Sequence, residues 1–338
     1  FLVYNCGLLN NIMSKKIRVA INGFGRIGRA FYKVAKENKD IEIVAINDLG
    51  SKENMEYLLK YDTVYKQSDI SLDGVKFISE NEPTKLPWKD LDIDVVVEST
   101  GLFTATDKAQ VHINAGAKRV VISAPIKDDD SPTVLMGQNE DKLKTTKISS
   151  NASCTTNAGG PIMAILDETI GVEKAMLNTV HAYTASQALV DGPSKKDLRE
   201  GRAAAQNIVP SSTGAAIAVT KVMTHMKGMF DGISIRVPVP VGSIVDVTFI
   251  SKKNTTAEEV NSILEKASKE ARWKGIFTIT KEDLVSSDIV GNSHASIADL
   301  AFTRVVGGNL VKVLAWYDNE MGYTYTLVRH VIEVGKLI

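Results

Sequence analysis

The chain has 338 residues, of which 44% are hydrophobic and 24% are charged, with 24 Gly and 9 Pro. This composition is typical of globular proteins and excludes collagen, a coiled coil and wholesale disorder, while the length suggests about two domains. Forty basic residues balance forty acidic ones, so no overall field attracts nucleic acid or an anionic membrane, and local groups must hold any anion.

The first residues do not resemble a targeting segment. Residues 1–12 lack a basic flank and a small-residue cleavage site, so we expect a mobile extension, with Met13 as the natural start. Cys6 and Cys154 cannot build a disulfide framework, and no Cys-x-x-Cys pair is present. No apolar run approaches the roughly 18 to 20 residues of a membrane helix. We therefore expect a soluble, cytoplasmic protein without nucleic acid or structural metal.

The first half of the chain alternates short β-branched runs with amphipathic stretches, which is the pattern of βαβ units around a buried parallel sheet. The predicted elements in chain order are a strand at 17–22, a helix over 28–38, strands at 41–47 and 94–98, a helix over 105–115 and a strand at 119–123.

A glycine-rich turn joins the first predicted strand to the first helix. Gly23, Gly25 and Gly28 form a Gly-x-Gly-x-x-Gly motif, and Asp48 follows at the distance expected of a ribose-binding acid. The glycines permit a tight turn, a close approach to pyrophosphate and helix packing, whereas a carboxylate repels a 2′-phosphate. The pattern favours NAD over NADP. The alternative is an ordinary glycine-rich turn beside a surface aspartate.

A single cysteine precedes the next helical pattern, at 162–170. Ser153 or Asn151 is expected to cap this helix, with Cys154 at its start, where positive potential favours a thiolate. His181, in a predicted strand, is a candidate acid and base for the thiol. A buried structural cysteine and a structural histidine remain open as alternatives, because spacing does not show contact.

The second half has longer, alternating strands and predicts a mostly antiparallel sheet with helices on one face. The predicted elements are strands at 175–183, 232–240, 243–251 and 310–317 and a closing helix over 325–337. Between the first two strands lies a long loop, 183–210, of the kind that is usually functional. Its Arg199 and Arg202 are candidate anion-binding cations or simply solvated charges.

Six motifs, taken together and in this order, resemble the phosphorylating glyceraldehyde-3-phosphate dehydrogenase family. They lie at 21–29, 98–101, 153–157, 212–216, 236–238 and 316–320, and the match extends from Lys16 to Leu337. The resemblance implies a Rossmann NAD-binding domain at 13–153 plus 320–338 and an α+β catalytic domain at 154–319. It also implies a homotetramer in which the long loop reaches a neighbouring subunit.

The resemblance further implies a reaction, the oxidative phosphorylation of D-glyceraldehyde 3-phosphate to 1,3-bisphosphoglycerate in glycolysis, with reduction of NAD. Cys154 would form a hemithioacetal and then a thioester, and His181 would activate the thiol. Erythrose 4-phosphate dehydrogenase, which ends with attack by water, and a non-catalytic nucleotide-binding protein are the alternatives.

The family's remaining site positions map onto residues that suit their roles. The substrate phosphate would be bound by Thr184 and Arg236. Inorganic phosphate would be bound by Ser153, Thr155, Thr213 and Gly214. NAD would be bound by Gly23, Gly25, Arg26, Ile27, Gly28, Asp48, Ser123 and Asn319.

Three positions depart from the family pattern. Ala158 replaces a second cysteine, which the chemistry does not need. Met321 replaces a tryptophan and keeps an apolar side chain. Asn81 replaces an arginine near the expected adenine site, so the adenine contacts should differ.

Overall fold

A six-stranded parallel sheet carries the first half of the protein in the computed structural model, which describes residues 15–194 and 197–338. Cys6, Met13 and the expected extension at 1–12 lie outside the described residues. The strands are β1 Ile17–Asn22, β2 Ile41–Asn47, β3 Tyr61–Asp62, β4 Lys66–Gln67, β5 Lys76–Ile78, β6 Val95–Glu98, β7 Arg119–Ile122 and β8 Ile148–Ser150. The helices are α1 Arg26–Lys36, α2 Lys52–Lys60 and α3 Thr106–Asn114.

The sheet has the order β5-β2-β1-β6-β7-β8, while β3 and β4 form a separate small hairpin. Strand order therefore reverses beside β1, the position at which dinucleotide-binding sheets hold their ligand. All four residues of β6 are buried, and so are the last four of β1, as expected of parallel strands covered on both faces. The predicted Rossmann architecture is confirmed.

A seven-stranded mixed sheet carries the second half, in the order β10-β11-β9-β12-β15-β14-β13. The helices and strands of this half are α4 Cys154–Thr169, β9 Val172–Ala182, β10 Val209–Ser212, α5 Ala215–Val222, β11 Phe230–Val237, β12 Ser243–Ser251, α6 Ala257–Ala267, β13 Phe277–Thr280, β14 Ser296–Val306, β15 Leu310–Tyr317 and α7 Met321–Gly335. Only β11–β9 and β13–β14 pair in parallel, so the predicted mostly antiparallel sheet is confirmed.

The two halves share one continuous apolar core. Val97 of the first sheet and Val245 of the second belong to the same buried cluster, and α4 packs against β9, β12, β14 and β15. Helix α7 returns to pack on α1, β6 and β7. Among the described residues no helix is long and apolar enough to cross a membrane.

Candidate active site

The candidate nucleophile lies where the first sheet passes into helix α4. Ala152 adopts a left-handed backbone conformation with φ +57°, which turns the chain sharply after β8. The helix then begins with Cys154, and Ser153 is its N-cap, since the Ser153 Oγ accepts a hydrogen bond from the Thr156 N–H at 3.0 Å. Of the two predicted caps, Ser153 is therefore the correct one. Asn157 secures the turn by donating to the carbonyls of Asn151 and Ser153.

The thiol and the imidazole meet at this point. The Cys154 Sγ lies 3.4 Å from the Nε2 of His181, which is 3% exposed near the end of β9. Strand β11 pairs in parallel with β9 so that Arg236 stands directly opposite His181. The His181 Nδ1 lies 2.6 Å from the Ala182 carbonyl, an acceptor, and 2.6 Å from the Arg236 Nη1, a donor. Nδ1 can donate to the Ala182 carbonyl or accept from Arg236, but it cannot do both. In the tautomer whose Nδ1–H donates to Ala182, the Arg236 Nη1 donates to the same carbonyl at 3.3 Å, and Nε2 is free to accept the thiol proton.

Burial and charge set the protonation of this pair. Burial raises the pKa of the Cys154 thiol. The positive charge of Arg236 and the hydrogen bond from the Thr155 N–H act in the opposite direction but are weaker. Burial also lowers the pKa of His181 to about 3, and the positive charge of Arg236 acts in the same direction. The ionisation expected from the helix N-terminus is thus opposed by desolvation, and His181 is neutral at neutral pH, as a base must be.

Tyr317 completes the pair's surroundings, and the sequence prediction missed it. Its fully buried hydroxyl lies 2.9 Å from the Thr155 Oγ1 and 2.8 Å from the Thr179 Oγ1, and its ring packs edge-on against His181. Two signals could have identified Tyr317: it lies in the motif at 316–320, and the alternating pattern of β15 places it on the buried face. Thr155, predicted to bind inorganic phosphate, thus uses its hydroxyl in this buried network.

Most of the remaining predicted anion-binding residues form their hydrogen bonds and ion pairs within their own loops rather than with Cys154 or His181. Thr184 and Thr213 hydrogen-bond within their own loops, to the Ser186 Oγ and the Ala215 N–H. Gly214 is the N-cap of α5, which packs beside α4. Arg199 and Arg202 are exposed and form ion pairs with Asp197 and Asp191 of the same loop. Of the predicted cations, only Arg236 is in contact with the pair.

A cleft of about 340 Å³ opens at the carboxyl ends of β1, β2 and β6. Gly23, Gly25, Asp48 and Asn81 are among its lining residues. A Cβ on Gly25 would have no neighbour within 4 Å, so the motif leaves open space just before the first N–H groups of α1. The Asp48 carboxylate lies at the edge, where it accepts from the N–H groups of Phe24 and Gly50. These features fit a dinucleotide: a cradle for pyrophosphate and a carboxylate for a ribose.

The other predicted cofactor residues are not among those that line this cleft. Gly28 lies so close to the Gly23 carbonyl that a Cβ there would be 2.1 Å from its oxygen. Ile27 packs on the apolar core, and Ser123 follows β7. The Asn319 Oδ1 accepts from the Gly242 N–H and the Ser243 Oγ, which fixes the orientation of its amide. The Arg26 guanidinium is bound to two carboxylates, so only its main chain remains for a phosphate.

Within 15–194 and 197–338, no group of three or more His, Cys, Asp and Glu side chains is arranged to hold a metal ion. The two buried helical histidines bond to neutral or carboxylate partners instead. His112 contacts Glu98 and Trp88, and His330 contacts Ser149 and Asn151.

Comparison with known proteins agrees with this arrangement. Residues 17–106 match the family model of the NAD binding domain of glyceraldehyde 3-phosphate dehydrogenase, and residues 153–319 match the model of its C-terminal domain. The chain is 50% identical to glyceraldehyde-3-phosphate dehydrogenase of Thermotoga maritima, over 92% of this chain and 97% of that protein. It is 48% identical to that of Mycobacterium avium and 46% identical to that of Streptomyces coelicolor, each over 95% of this chain and 99% of the relative. The chain belongs to the glyceraldehyde 3-phosphate dehydrogenase family and is an NAD-dependent oxidoreductase acting on an aldehyde.

Proposed function

We propose that the protein oxidises and phosphorylates D-glyceraldehyde 3-phosphate to 1,3-bisphosphoglycerate in glycolysis, with Cys154 as the nucleophile and His181 as its acid and base. The observation that carries this proposal is the 3.4 Å contact between the Sγ and Nε2 at the start of α4. A neutral, buried imidazole beside a thiol is suited to take its proton and return it later.

The first step joins the substrate to the enzyme. His181 Nε2 takes the proton of the Cys154 thiol, and the sulfur adds to the aldehyde carbon, so that the C=O electron pair moves onto oxygen. The N–H groups at the start of α4 support this negative oxygen. The oxygen takes up a proton from His181, which gives a neutral hemithioacetal and a neutral imidazole.

Oxidation and phosphate attack follow at the same carbon. NAD, when bound, accepts the hydride of this carbon. His181 takes the hydroxyl proton at that step, which leaves a thioester on Cys154. An oxygen of inorganic phosphate then attacks the thioester carbon, the C–S bond breaks, and the acyl phosphate leaves as sulfur regains its proton. Arg236 supplies the fixed positive charge beside the anionic substrates.

We assign the two anion sites to the same residues that the sequence resemblance implies. We assign Thr184 and Arg236 to the substrate phosphate, and Ser153, Thr155, Thr213 and Gly214 to inorganic phosphate. Thr155 and Ser153 would act through partly engaged hydroxyls, since these already bond to Tyr317 and Thr156.

We assign residues 13–153 with 320–338 to the NAD-binding domain and 154–319 to the catalytic domain, in a cytoplasmic homotetramer. Strongly exposed apolar side chains on the long loop support the assembly. Leu189, Val190, Leu198 and Ile208 are each at least 72% exposed, more apolar surface than a solitary loop normally presents to water.

Formation of NADH, followed by its absorbance, tests the reaction with D-glyceraldehyde 3-phosphate, NAD and inorganic phosphate. We expect turnover that requires phosphate and that Cys154→Ser abolishes, while His181→Asn slows it by roughly 10² to 10⁴. Turnover independent of phosphate, with a faster rate on erythrose 4-phosphate, would favour the alternative dehydrogenase. Absence of turnover with unselective iodoacetamide labelling of Cys154 would favour a non-catalytic protein.

A further inference from the structure

The two ends of the proposed cofactor site come from opposite ends of the chain. The glycine cradle precedes α1, whereas Asn319 lies in the turn before α7. NAD is a long molecule, so it gains more affinity from both ends when their separation is already fixed before it binds.

One arginine joins these two regions. The Arg26 Nε and Nη2 form a forked ion pair with the Glu320 carboxylate, at 2.9 and 2.5 Å, and its Nη1 contacts the Asp62 Oδ2 at 2.6 Å. Arg26 is the first residue of α1, and Glu320 directly follows Asn319. We call Asp62, Arg26 and Glu320 the ion triad.

The ion triad is a buried, permanently charged contact within the protein rather than a ligand-binding group. The Asp62 and Glu320 side chains are only 7% and 12% exposed. Burial works against the charge of Arg26, but its bonds to the two carboxylates outweigh burial and raise its pKa. The guanidinium therefore stays charged and engaged, and a forked pair holds orientation as well as distance.

A second set of bonds holds the other side of Asn319. The buried Asp318 carboxylate accepts from the Tyr65 hydroxyl at 2.8 Å and from the N–H groups of Gly291, Glu320 and Met321. Tyr65 also donates its N–H to Asp62, which belongs to the ion triad. Asn319 is thus flanked on both sides by residues tied to the segment 62–65.

We propose that Arg26 and Glu320 are positioning residues which hold the Asn319 amide at a fixed distance from the phosphate cradle, so that binding of the pyrophosphate aligns the nicotinamide end. The proposal rests on the proposed NAD site, including Asn319. Neither guanidinium nor carboxylate needs to touch the cofactor.

The experiment compares two ligands that differ only at the nicotinamide. ADP-ribose is NAD without this ring, so it reaches the cradle but not Asn319. Dissociation constants of both are measured calorimetrically for the full chain and for Glu320→Gln, Arg26→Lys and Asn319→Ala. Glu168→Gln, which breaks the exposed Arg272 pair elsewhere, is the matched control.

We expect Glu320→Gln and Arg26→Lys to raise the Kd for NAD about tenfold, or 1.4 kcal/mol, with the Kd for ADP-ribose within about twofold. Asn319→Ala should show the same selective loss, and adding Glu320→Gln to it should cost little more, because both act through one amide. Glu168→Gln should change neither constant.

Equal losses of affinity for NAD and ADP-ribose would overturn the proposal, because they would indicate general destabilisation of the protein. No loss of affinity for either ligand would also overturn it, because the ion triad would then not position Asn319. A fully additive double variant would overturn it as well. In each of these cases, binding of NAD by the unaltered chain would still support the proposed function, whereas failure of the unaltered chain to bind NAD would contradict both.

Discussion

At the residue scale, His181 and His330 make the free energy of unfolding depend on pH. His181 and His330 are buried, and burial lowers the pKa of each to about 3. In the unfolded chain an imidazole titrates near pH 6.5. Between these values the unfolded state binds more protons than the folded one, so stability is complete above about pH 6.5 and declines as the pH falls.

His330→Gln tests this dependence away from the reacting groups. His181 and His330 should each contribute a slope of about 1.4 kcal/mol per pH unit between about pH 6.5 and 3. We expect the variant's free energy of unfolding to fall less steeply with acidification than that of the unaltered chain. Denaturant titrations at pH 7, 6 and 5 measure the difference. Identical slopes would mean that His330 becomes protonated in the folded protein.

We expect the charge of Asp48 to set the choice between NAD and NADP in the proposed site. Its carboxylate accepts main-chain hydrogen bonds from Phe24 and Gly50, so Asp48→Asn preserves an acceptor while removing the charge. We expect discrimination against NADP to fall about tenfold, which corresponds to a like-charge repulsion of about 1.4 kcal/mol. The ratio of kcat/KM for the two cofactors measures it. An unchanged ratio would show that residues other than Asp48 set the selectivity.

At the scale of elements, two glycines of one motif have separable roles. Gly28 packs helix α1 on the turn, with 2.1 Å between an added Cβ and the Gly23 oxygen, whereas Gly25 faces open space. Gly28→Ala should lower the free energy of unfolding by about 1 to 3 kcal/mol. Gly25→Ala should leave Tm within about 2 °C but raise the Kd for NAD, because its methyl group occupies the cradle.

Thermal unfolding and NAD titration of both variants check this separation. Loss of stability in Gly25→Ala would show that the loop is strained there. Unchanged NAD affinity in the same variant would show that the phosphate does not approach Gly25.

Elements with a clear hydrophobic period could be predicted, and those formed by tertiary packing could not. Strands β1, β2, β12 and β15 have the predicted bounds. Helices α2, α5 and α6 were missed, although Ser51 and Thr256 are recognisable N-caps of α2 and α6. The predicted helices at 28–38 and 325–337 begin earlier, at Arg26 and Met321, because the Gly25 and Glu320 caps are polar or small and carry no periodic mark.

The site shows the same division. The motifs predicted Cys154 and His181, yet their contact depends on a crossing between α4 and β9 that no spacing encodes. Asp62 and Glu320 were missed as partners of Arg26 because ion pairs across the fold have no local pattern.

At the scale of the whole molecule, the exposed apolar loop predicts association. Leu198 is 83% exposed, and Leu198→Asp should weaken assembly by placing a charge in a desolvated contact. Sedimentation should shift from four copies of the 36.7 kDa chain towards smaller species. Leu337→Asp, at the carboxyl end, is the control and should sediment unchanged. A monomeric unaltered chain would contradict the homotetramer.

The parallel register of β11 and β9 sets Arg236 opposite His181 through main-chain bonds rather than through flexible loops. Residue 236 can therefore be exchanged without moving the backbone beneath it. Because its charge lowers the pKa of both members of the pair, substitutions there should shift the pH dependence of the reaction together with the affinity for the anionic substrate.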